Sequence, residues 1–214
     1  MRLFFRDVAE LSDKKSFDDA LEIVGDGRRR KVLRYKNENA ARLSLAAGLA
    51  FVDGINSLGI GNGDAAVTEA DVGDDTEELP KTYVINNADG GNPVYYNISH
   101  SGELAVCGFS EKRIGVDLEC IDDRDNRPVI KRFFKSEQDY ILEDENGIAE
   151  RFFRVWTMKE CFLKCIGVGL SGLDELPELI PAKALVIEHR GERYSFRQEL
   201  YKGKYVISIC EKEI

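Results

Sequence analysis

Two acidic side chains, Asp117 and Glu119, alternate with apolar residues in the segment Gly115–Glu119. In a β-strand, residues two apart share a face, so both carboxylates would project together while Val116 and Leu118 face the other way. Neighbouring carboxylates repel each other unless water or a cation lies between them, and hard oxygen ligands of this kind suit Mg²⁺. The pattern indicates either a magnesium site or an ordinary strand with a hydrated acidic face.

A long helix is predicted from about Ile148 to Ile166, with Gly167 ending it. Lys159 falls within its apolar stripe, where an unpaired ammonium is costly, so this side chain needs an anionic partner or must extend to solvent. Glu160 lies at the margin of the stripe, and Lys164 is its i+4 neighbour. A carboxylate and an ammonium therefore lie side by side at the border of the core, either as a minor helix-stabilising pair or as part of a site.

A third polar segment, Asn97–Gly102, ends a predicted strand and contains one of the two histidines. Ser99 and His100 have the donors that a phosphate site needs, although a strand-end turn explains the same residue types by local hydrogen bonding. Basic residues cluster at Arg28–Lys31 and Arg34. Such a run is either a solvated face or a local patch that receives a small phosphorylated ligand.

The elements that must position these residues alternate between helices and strands in an α+β pattern. For the first half, periodicity predicts a strand, two helices and three strands: Arg2–Phe5, Phe17–Val24, Asn39–Leu58, Thr82–Asn86, Val94–Ile98 and Leu104–Phe109. For the second half it predicts a strand, two helices and three antiparallel strands: Arg113–Glu119, Glu137–Glu145 (with Ser136 as N-cap), Ile148–Ile166, Lys183–Glu188, Arg193–Leu200 and Lys204–Cys210. We therefore divide the chain into subdomains 1–109 and 110–214, without a literal sequence repeat.

Composition excludes several classes of protein. The 214 residues are 43% hydrophobic and 32% charged, which predicts a buried core. A net charge of −9 argues against a nucleic-acid binder that uses its whole surface, and residues 61–80 read as an exposed acidic loop. The apolar stretches are too short to cross a membrane and no signal peptide is evident, so we expect a cytoplasmic protein. Five cysteines without a C-x-x-C pair predict neither a disulfide framework nor a zinc site.

Taken in order, the segments Asn97–Ser101, Gly115–Glu119 and Trp156–Lys164 resemble the three signatures of the 4'-phosphopantetheinyl transferases. These signatures read roughly N-[IL]-S-H-S, G-[IV]-D-[IL]-E and W-[ST]-x-K-E-[SA]-[FY]-x-K. The chain length resembles the larger, pseudodimeric type that activates surfactin synthetase. The resemblance implies a monomer with two similar α/β subdomains related by pseudo-twofold symmetry, each a small antiparallel sheet packed with helices.

The resemblance also implies a reaction. The 4'-phosphopantetheine group of coenzyme A would pass to a serine hydroxyl of an apo acyl or peptidyl carrier protein, with release of 3',5'-ADP. Asp117, Glu119 and Glu160 would hold Mg²⁺, or Mn²⁺, against the pyrophosphate of the coenzyme. Glu160 would also be the base for the attacking serine, and Lys164 would stabilise charge on the phosphoryl oxygens.

The coenzyme site follows from the same resemblance. Ser99, His100 and the basic residues Arg30, Lys31 and Arg42 would bind the adenosine 3'-phosphate and neighbouring oxygens.

Two positions depart from the family pattern. The tripeptide Gly91–Pro93 has Asn92 where the family usually carries a basic residue, so either a contact to the coenzyme is lost or the preceding acidic stretch displaces the alignment. Cys161 stands where serine or alanine is common, a change that we expect to be tolerated. Lys159 is expected to lie near the acidic cluster.

A carrier protein must dock near Glu160. Between the acid pair and the long helix lies an apolar and basic segment that suits an acidic carrier: Ile130, Arg132, Phe133, Phe134 and Lys135. These residues are predicted to form part of the docking surface, and the alternative is that the phenylalanines are core residues.

Two other functions stay open. A non-catalytic coenzyme A or nucleotide binder would keep the pocket without carrier recognition, and Asn92 mildly favours this function. A Mg²⁺-dependent phosphohydrolase would use the three acids to activate water. The presence of both Glu160 and Lys164 favours the transferase.

Overall fold

The computed structural model describes residues 1–59, 83–85, 92–181 and 185–213. The acidic stretch 61–80, Gly91 and the beginning of the strand predicted at Lys183 lie outside the described residues. No helix in the described ranges is both long and apolar enough to span a bilayer.

The described residues of the N-terminal half form four strands and three α-helices. In chain order these are β1 (Arg2–Asp7), a 3₁₀ helix (Val8–Leu11), α1 (Lys14–Ile23), α2 (Asp26–Arg34), α3 (Glu38–Leu58), β2 (Tyr83–Ile85), β3 (Val94–Ser101) and β4 (Leu104–Ser110). The C-terminal half contains β5 (Ile114–Cys120), α4 (Arg127–Ile130), α5 (Lys135–Ile141), α6 (Ile148–Ile166), a 3₁₀ helix (Leu170–Glu175), β6 (Leu185–His189), β7 (Glu192–Tyr201) and β8 (Tyr205–Lys212).

The two halves have the same topology. The first sheet has the strand order β1-β4-β3-β2 and the second has the order β5-β8-β7-β6, and every pairing is antiparallel. In each half the longest helix, α3 or α6, lies between the first and second strands along the chain and packs on the sheet of its own half. The predicted α+β fold of two similar subdomains is therefore confirmed.

The long helices begin and end where their sequences predict. The side chain of Asn37 accepts a hydrogen bond from the backbone N–H of Ala40 and caps α3, which ends at Gly59 with φ of 65°. Gly167 ends α6 with φ of 77°. Both glycines adopt the left-handed conformation that glycine enters without a steric penalty.

The shorter helices differ from the predictions. The helix predicted over Glu137–Glu145 is α5, Lys135–Ile141, and Ser136 is not its N-cap, because the N-cap lies two residues earlier at Phe134. The Glu137 side chain accepts the Phe134 N–H at 3.1 Å and so closes this end instead. The basic run Arg28–Lys31 lies within α2, a helix that its weak apolar periodicity did not reveal.

The two sheets face each other across a shared apolar cluster. Side chains from β4, β5 and β8 form it: Leu104, Val106, Ile114, Val116, Leu118, Tyr205, Ile207 and Ile209. Because Val116 and Leu118 point into this cluster, the alternate residues of β5 point to the other face, where α6 packs.

Helix α6 lies unusually close to β5 at Gly115. A Cβ atom on this glycine would be 1.9 Å from the carbonyl oxygen of Cys161 and 2.6 Å from the backbone nitrogen of Cys165. These are backbone atoms of α6, which cannot rotate away. The absence of a side chain at Gly115 therefore allows the helix to lie directly on the strand.

We predict that Gly115→Ala lowers the free energy of unfolding by about 3 kcal/mol or more, because the helix and strand must separate to admit a methyl group. Denaturant unfolding measures this loss. Gly169→Ala is the matched control, since its nearest neighbour would be the Ser171 hydroxyl at 4.0 Å. Equal stability of the two variants would contradict the close approach.

Candidate functional site

Strands β3 and β5 lie side by side without a backbone ladder between them. Three polar side chains of β3, which we call the polar ladder, accept hydrogen bonds from backbone N–H groups of β5. The pairs are Val116 to Asn97 (2.8 Å), Leu118 to Ser99 (3.1 Å) and Cys120 to Ser101 (3.1 Å). The predicted strand-end turn begins later, at Gly102 with φ of 60°. The polar residues of this segment thus fasten the outer edge of β5 to the first half of the protein.

Asp117 lies at the centre of the site and is buried. Its Oδ1 accepts hydrogen bonds from Lys164 Nζ at 2.6 Å and from Ser99 Oγ at 3.0 Å. Lys164 Nζ also donates to Ser99 Oγ at 3.1 Å and to the carbonyl oxygen of Val116 at 3.0 Å. Three segments that are remote in sequence, on β3, β5 and α6, therefore meet at one carboxylate.

The second oxygen of Asp117, Oδ2, is buried and has no hydrogen-bond partner among the described residues. A buried carboxylate oxygen without a partner is energetically unfavourable, so it needs an explanation such as an ion. Hard oxygen atoms of this kind are the ligands that divalent cations such as Mg²⁺ prefer. The chemistry of this atom fits a cation.

Lys164 remains charged in this site. Burial alone would lower the pKa of its ammonium, but the negative charges of Asp117 and Glu160 outweigh that effect and raise the pKa. Glu160 lies one helical turn before Lys164 on α6, as the i, i+4 spacing predicts.

Glu119 shares the α6-facing side of β5 with Asp117 and is half-buried. Burial raises the pKa of its carboxyl group, and the negative charge of Asp117 raises it further. The Ser101 hydroxyl donates to Glu119 Oε2 at 2.6 Å and favours the ionised form. The acid pair predicted on β5 therefore forms, with each carboxylate held by a serine of the polar ladder.

The metal site predicted at Asp117, Glu119 and Glu160 stays a prediction. Within the described ranges, no group of three His, Cys, Asp or Glu side chains is arranged to hold an ion. The ammonium of Lys164 contacts Asp117 directly. It also interacts electrostatically with the carboxylates of Glu119 and Glu160.

The structure separates the residues expected to bind the coenzyme. Ser99 and His100 are consecutive in β3, so their side chains point to opposite faces: Ser99 is buried against Asp117, whereas His100 reaches solvent. The surrounding protein lowers the pKa of His100 by desolvation, and the positive charges of Lys164, Arg28 and Lys31 lower it further. Positive charges of the first half therefore act on His100, and we call Arg28, Lys31 and His100 the basic cluster.

Of the three basic residues predicted for the coenzyme, Lys31 belongs to this cluster. Arg30 is exposed. Arg42 pairs with Glu38 at 3.3 Å and lines a groove of about 420 Å³ beside α1 and α2. Sequence reasoning did not select Arg28, which is buried and donates to Ser44 Oγ at 3.2 Å. Its i, i+3 spacing from Lys31 on a helix was the signal that could have found it.

Lys159 has a partner different from the expected one. Its Nζ lies 2.8 Å from Glu137 Oε1, and both side chains are almost completely buried. Glu137 also accepts the backbone N–H groups of Leu179 at 2.7 Å and Phe134 at 3.1 Å. The expectation that Lys159 lies near the acidic cluster is therefore wrong: it fastens α5 and the 176–179 segment to α6.

The predicted docking segment divides into core and surface. Ile130 and Phe133 are buried, so for Phe133 the alternative of a core residue is confirmed. Phe134 is 47% exposed. The side chains of Arg132 and Lys135 are 58% and 80% exposed. Arg132 and Phe134 also line a small cavity of about 190 Å³, whose wall includes Lys159, the neighbour of Glu160 in α6.

Comparison with known proteins finds similarity to one family over part of the chain. The family model of the 4'-phosphopantetheinyl transferase superfamily matches residues 113–210. The chain is 32% identical over 105 residues to the 4'-phosphopantetheinyl transferase Sfp of Bacillus subtilis, covering 48% of this chain and 45% of that protein. It is 38% identical over 80 residues to the 4'-phosphopantetheinyl transferase gsp of Aneurinibacillus migulanus, covering 36% and 33%. It is 38% identical over 85 residues to HetI of Nostoc, covering 38% and 36%. Each match spans less than half of the relative's own length.

Proposed function

We propose that this protein transfers the 4'-phosphopantetheine group of coenzyme A to a carrier protein, because residues 113–210 match the family model of the 4'-phosphopantetheinyl transferase superfamily. The acceptor is a serine hydroxyl of an apo acyl or peptidyl carrier protein, and the other product is 3',5'-ADP. One observation carries the proposal: Ser99, Asp117 and Lys164, one from each sequence signature, hydrogen-bond to one another. We also propose a monomeric, cytoplasmic enzyme.

A divalent cation is part of the proposal. Asp117, Glu119 and Glu160 would hold Mg²⁺ or Mn²⁺, and the buried Oδ2 of Asp117 supports this assignment. When bound, the cation supplies positive charge that offsets the pyrophosphate of the coenzyme.

Glu160 and Lys164 have separate roles in the transfer. The acceptor hydroxyl is a weak nucleophile at neutral pH, so its proton passes to the Glu160 carboxylate as the serine oxygen bonds to the phosphorus that carries pantetheine. The bond from that phosphorus to 3',5'-ADP breaks in the same displacement. The raised pKa of Lys164 keeps an ammonium beside the acids, where it stabilises charge on the phosphoryl oxygens.

The basic cluster is proposed to receive the adenosine 3'-phosphate. The positive charges of Arg28 and Lys31 that act on His100 support this role. Binding of the same phosphate by Arg30, Arg42 and Ser99 stays a prediction.

The docking surface for the carrier protein is proposed at α4 and α5. Exposed Phe134 offers an apolar contact. Arg132 and Lys135 are exposed and pair with Asp174 and Asp139, and an acidic partner would compete with these aspartates for their positive charge. The small cavity beside Phe134 is lined by Lys159, the residue before Glu160 in α6, which supports a docking position next to this helix.

We predict that Glu160→Gln abolishes transfer while leaving the fold intact, because the amide keeps the shape and loses both charge and basicity. A fall in rate of about 10²-fold or more is expected from loss of a general base. The assay incubates the protein with coenzyme A, Mg²⁺ and apo carrier proteins and measures the mass gain of one phosphopantetheine. Thermal unfolding of the same samples is the control for stability.

The same assay separates the competing functions. Binding of coenzyme A without transfer to any carrier identifies a non-catalytic binder, and breakdown of coenzyme A without a carrier identifies a phosphohydrolase. Wild-type turnover in Glu160→Gln would refute Glu160 as the base.

Charge reversal of the docking surface should act on the carrier alone. We predict that Arg132→Glu combined with Lys135→Glu raises the KM for the carrier at least about tenfold, since like charges oppose encounter and docking, and leaves coenzyme A binding unchanged. Arg193→Glu with Arg197→Glu is the matched control, because it makes the same charge change at exposed positions of β7. Equal KM values for the two double variants would reject the surface.

A further inference from the structure

The hydroxyl of Ser101 makes two hydrogen bonds to the same end of β5. It accepts the backbone N–H of Cys120 at 3.1 Å and donates to Glu119 Oε2 at 2.6 Å. One bond fixes the main chain next to Glu119, and the other fixes the carboxylate itself. Ser101 therefore constrains both the position of the strand and the direction in which Glu119 points.

Glu119 needs such a constraint. It lies two residues from Asp117 on the same face of β5, where like charges in a partly desolvated site repel each other. Among its described contacts, the Ser101 hydroxyl is a hydrogen-bond donor that fixes the Glu119 carboxylate. This hydrogen bond opposes rotation of the carboxylate away from Asp117.

Ser99 repeats this arrangement one step along the ladder. Its hydroxyl accepts the Leu118 N–H and donates to Asp117 Oδ1, with the same spacing of two residues. Ser99 also contacts Lys164, so a variant at Ser99 disturbs three groups at once. Ser101 has the simpler environment and is the better residue to test.

We infer that Ser101 is a positioning residue, which holds Glu119 beside Asp117 so that the two carboxylates can bind one divalent cation. This inference rests on the proposed function, and it extends that function to a serine for which the sequence predicts no role. Groups that orient a metal ligand typically change metal affinity by 10- to 100-fold when they are removed.

The chain contains a matched control for this interaction. Ser110 Oγ donates to Glu211 Oε1 at 2.6 Å and accepts the backbone N–H of Lys112 at 3.1 Å. Here too a serine joins a carboxylate and a backbone N–H: the carboxylate lies on β8, and the N–H lies two residues further along the chain, after β4. Ser110→Ala therefore removes an equivalent interaction away from the acid pair.

The test measures Mn²⁺ binding by electron paramagnetic resonance. Every sample contains the same concentration of coenzyme A, so the amount of Mn²⁺ bound by the free coenzyme is a constant background. We expect Ser101→Ala to weaken Mn²⁺ binding about tenfold, with Ser101→Thr restoring it because the hydroxyl is retained. Ser110→Ala is expected to bind Mn²⁺ as the wild type does, and thermal unfolding should show a comparable loss of stability in both alanine variants.

Equal Mn²⁺ affinity in Ser101→Ala and Ser110→Ala would overturn the positioning role and leave the proposed transferase untouched. Failure of Ser101→Thr to restore binding would also overturn it, since the hydroxyl would then be irrelevant. If the wild-type protein binds no Mn²⁺ beyond the coenzyme background, the proposed metal site itself fails, and the inference fails with it.

Discussion

The contact between Lys164 and Asp117 is the interaction on which the site depends. A buried ammonium requires a carboxylate, and at 2.6 Å this pair joins α6 to β5. The contact is possible because Gly115 lets the helix lie on the strand. It extends to the first half of the protein because Ser99 bonds to both partners. One ion pair thus holds together parts of three elements and both sheets.

A second buried ion pair on the same helix shows what distinguishes the site. Lys159 and Glu137 are even more deeply buried, yet both oxygens of Glu137 have partners, the ammonium and two backbone N–H groups. Asp117 keeps one oxygen without a partner in the described chain. A fully satisfied pair fixes structure, whereas an unsatisfied carboxylate is open to a ligand. The two lysines therefore have different roles although they lie five residues apart.

Sequence patterns predicted the long elements and the three polar segments, because periodicity and glycine stops are local properties of the chain. They also predicted the face that Asp117 and Glu119 share. They did not predict Glu137 as the partner of Lys159, or the polar ladder. Those contacts form between separate elements, and a sequence pattern does not give the relative positions of two elements in space. The wrong N-cap at Ser136 has a similar cause: the predicted capping motif lies two residues after the one formed by Phe134 and Glu137.

The central claim is that the unpaired oxygen of Asp117 receives a divalent cation together with coenzyme A. The most direct measurement is anomalous diffraction at the manganese edge from crystals grown with Mn²⁺ and coenzyme A. We expect an anomalous peak within bonding distance of Asp117 Oδ2, next to the pyrophosphate. Bound coenzyme with no manganese peak at Asp117, or with the peak elsewhere, would contradict this claim.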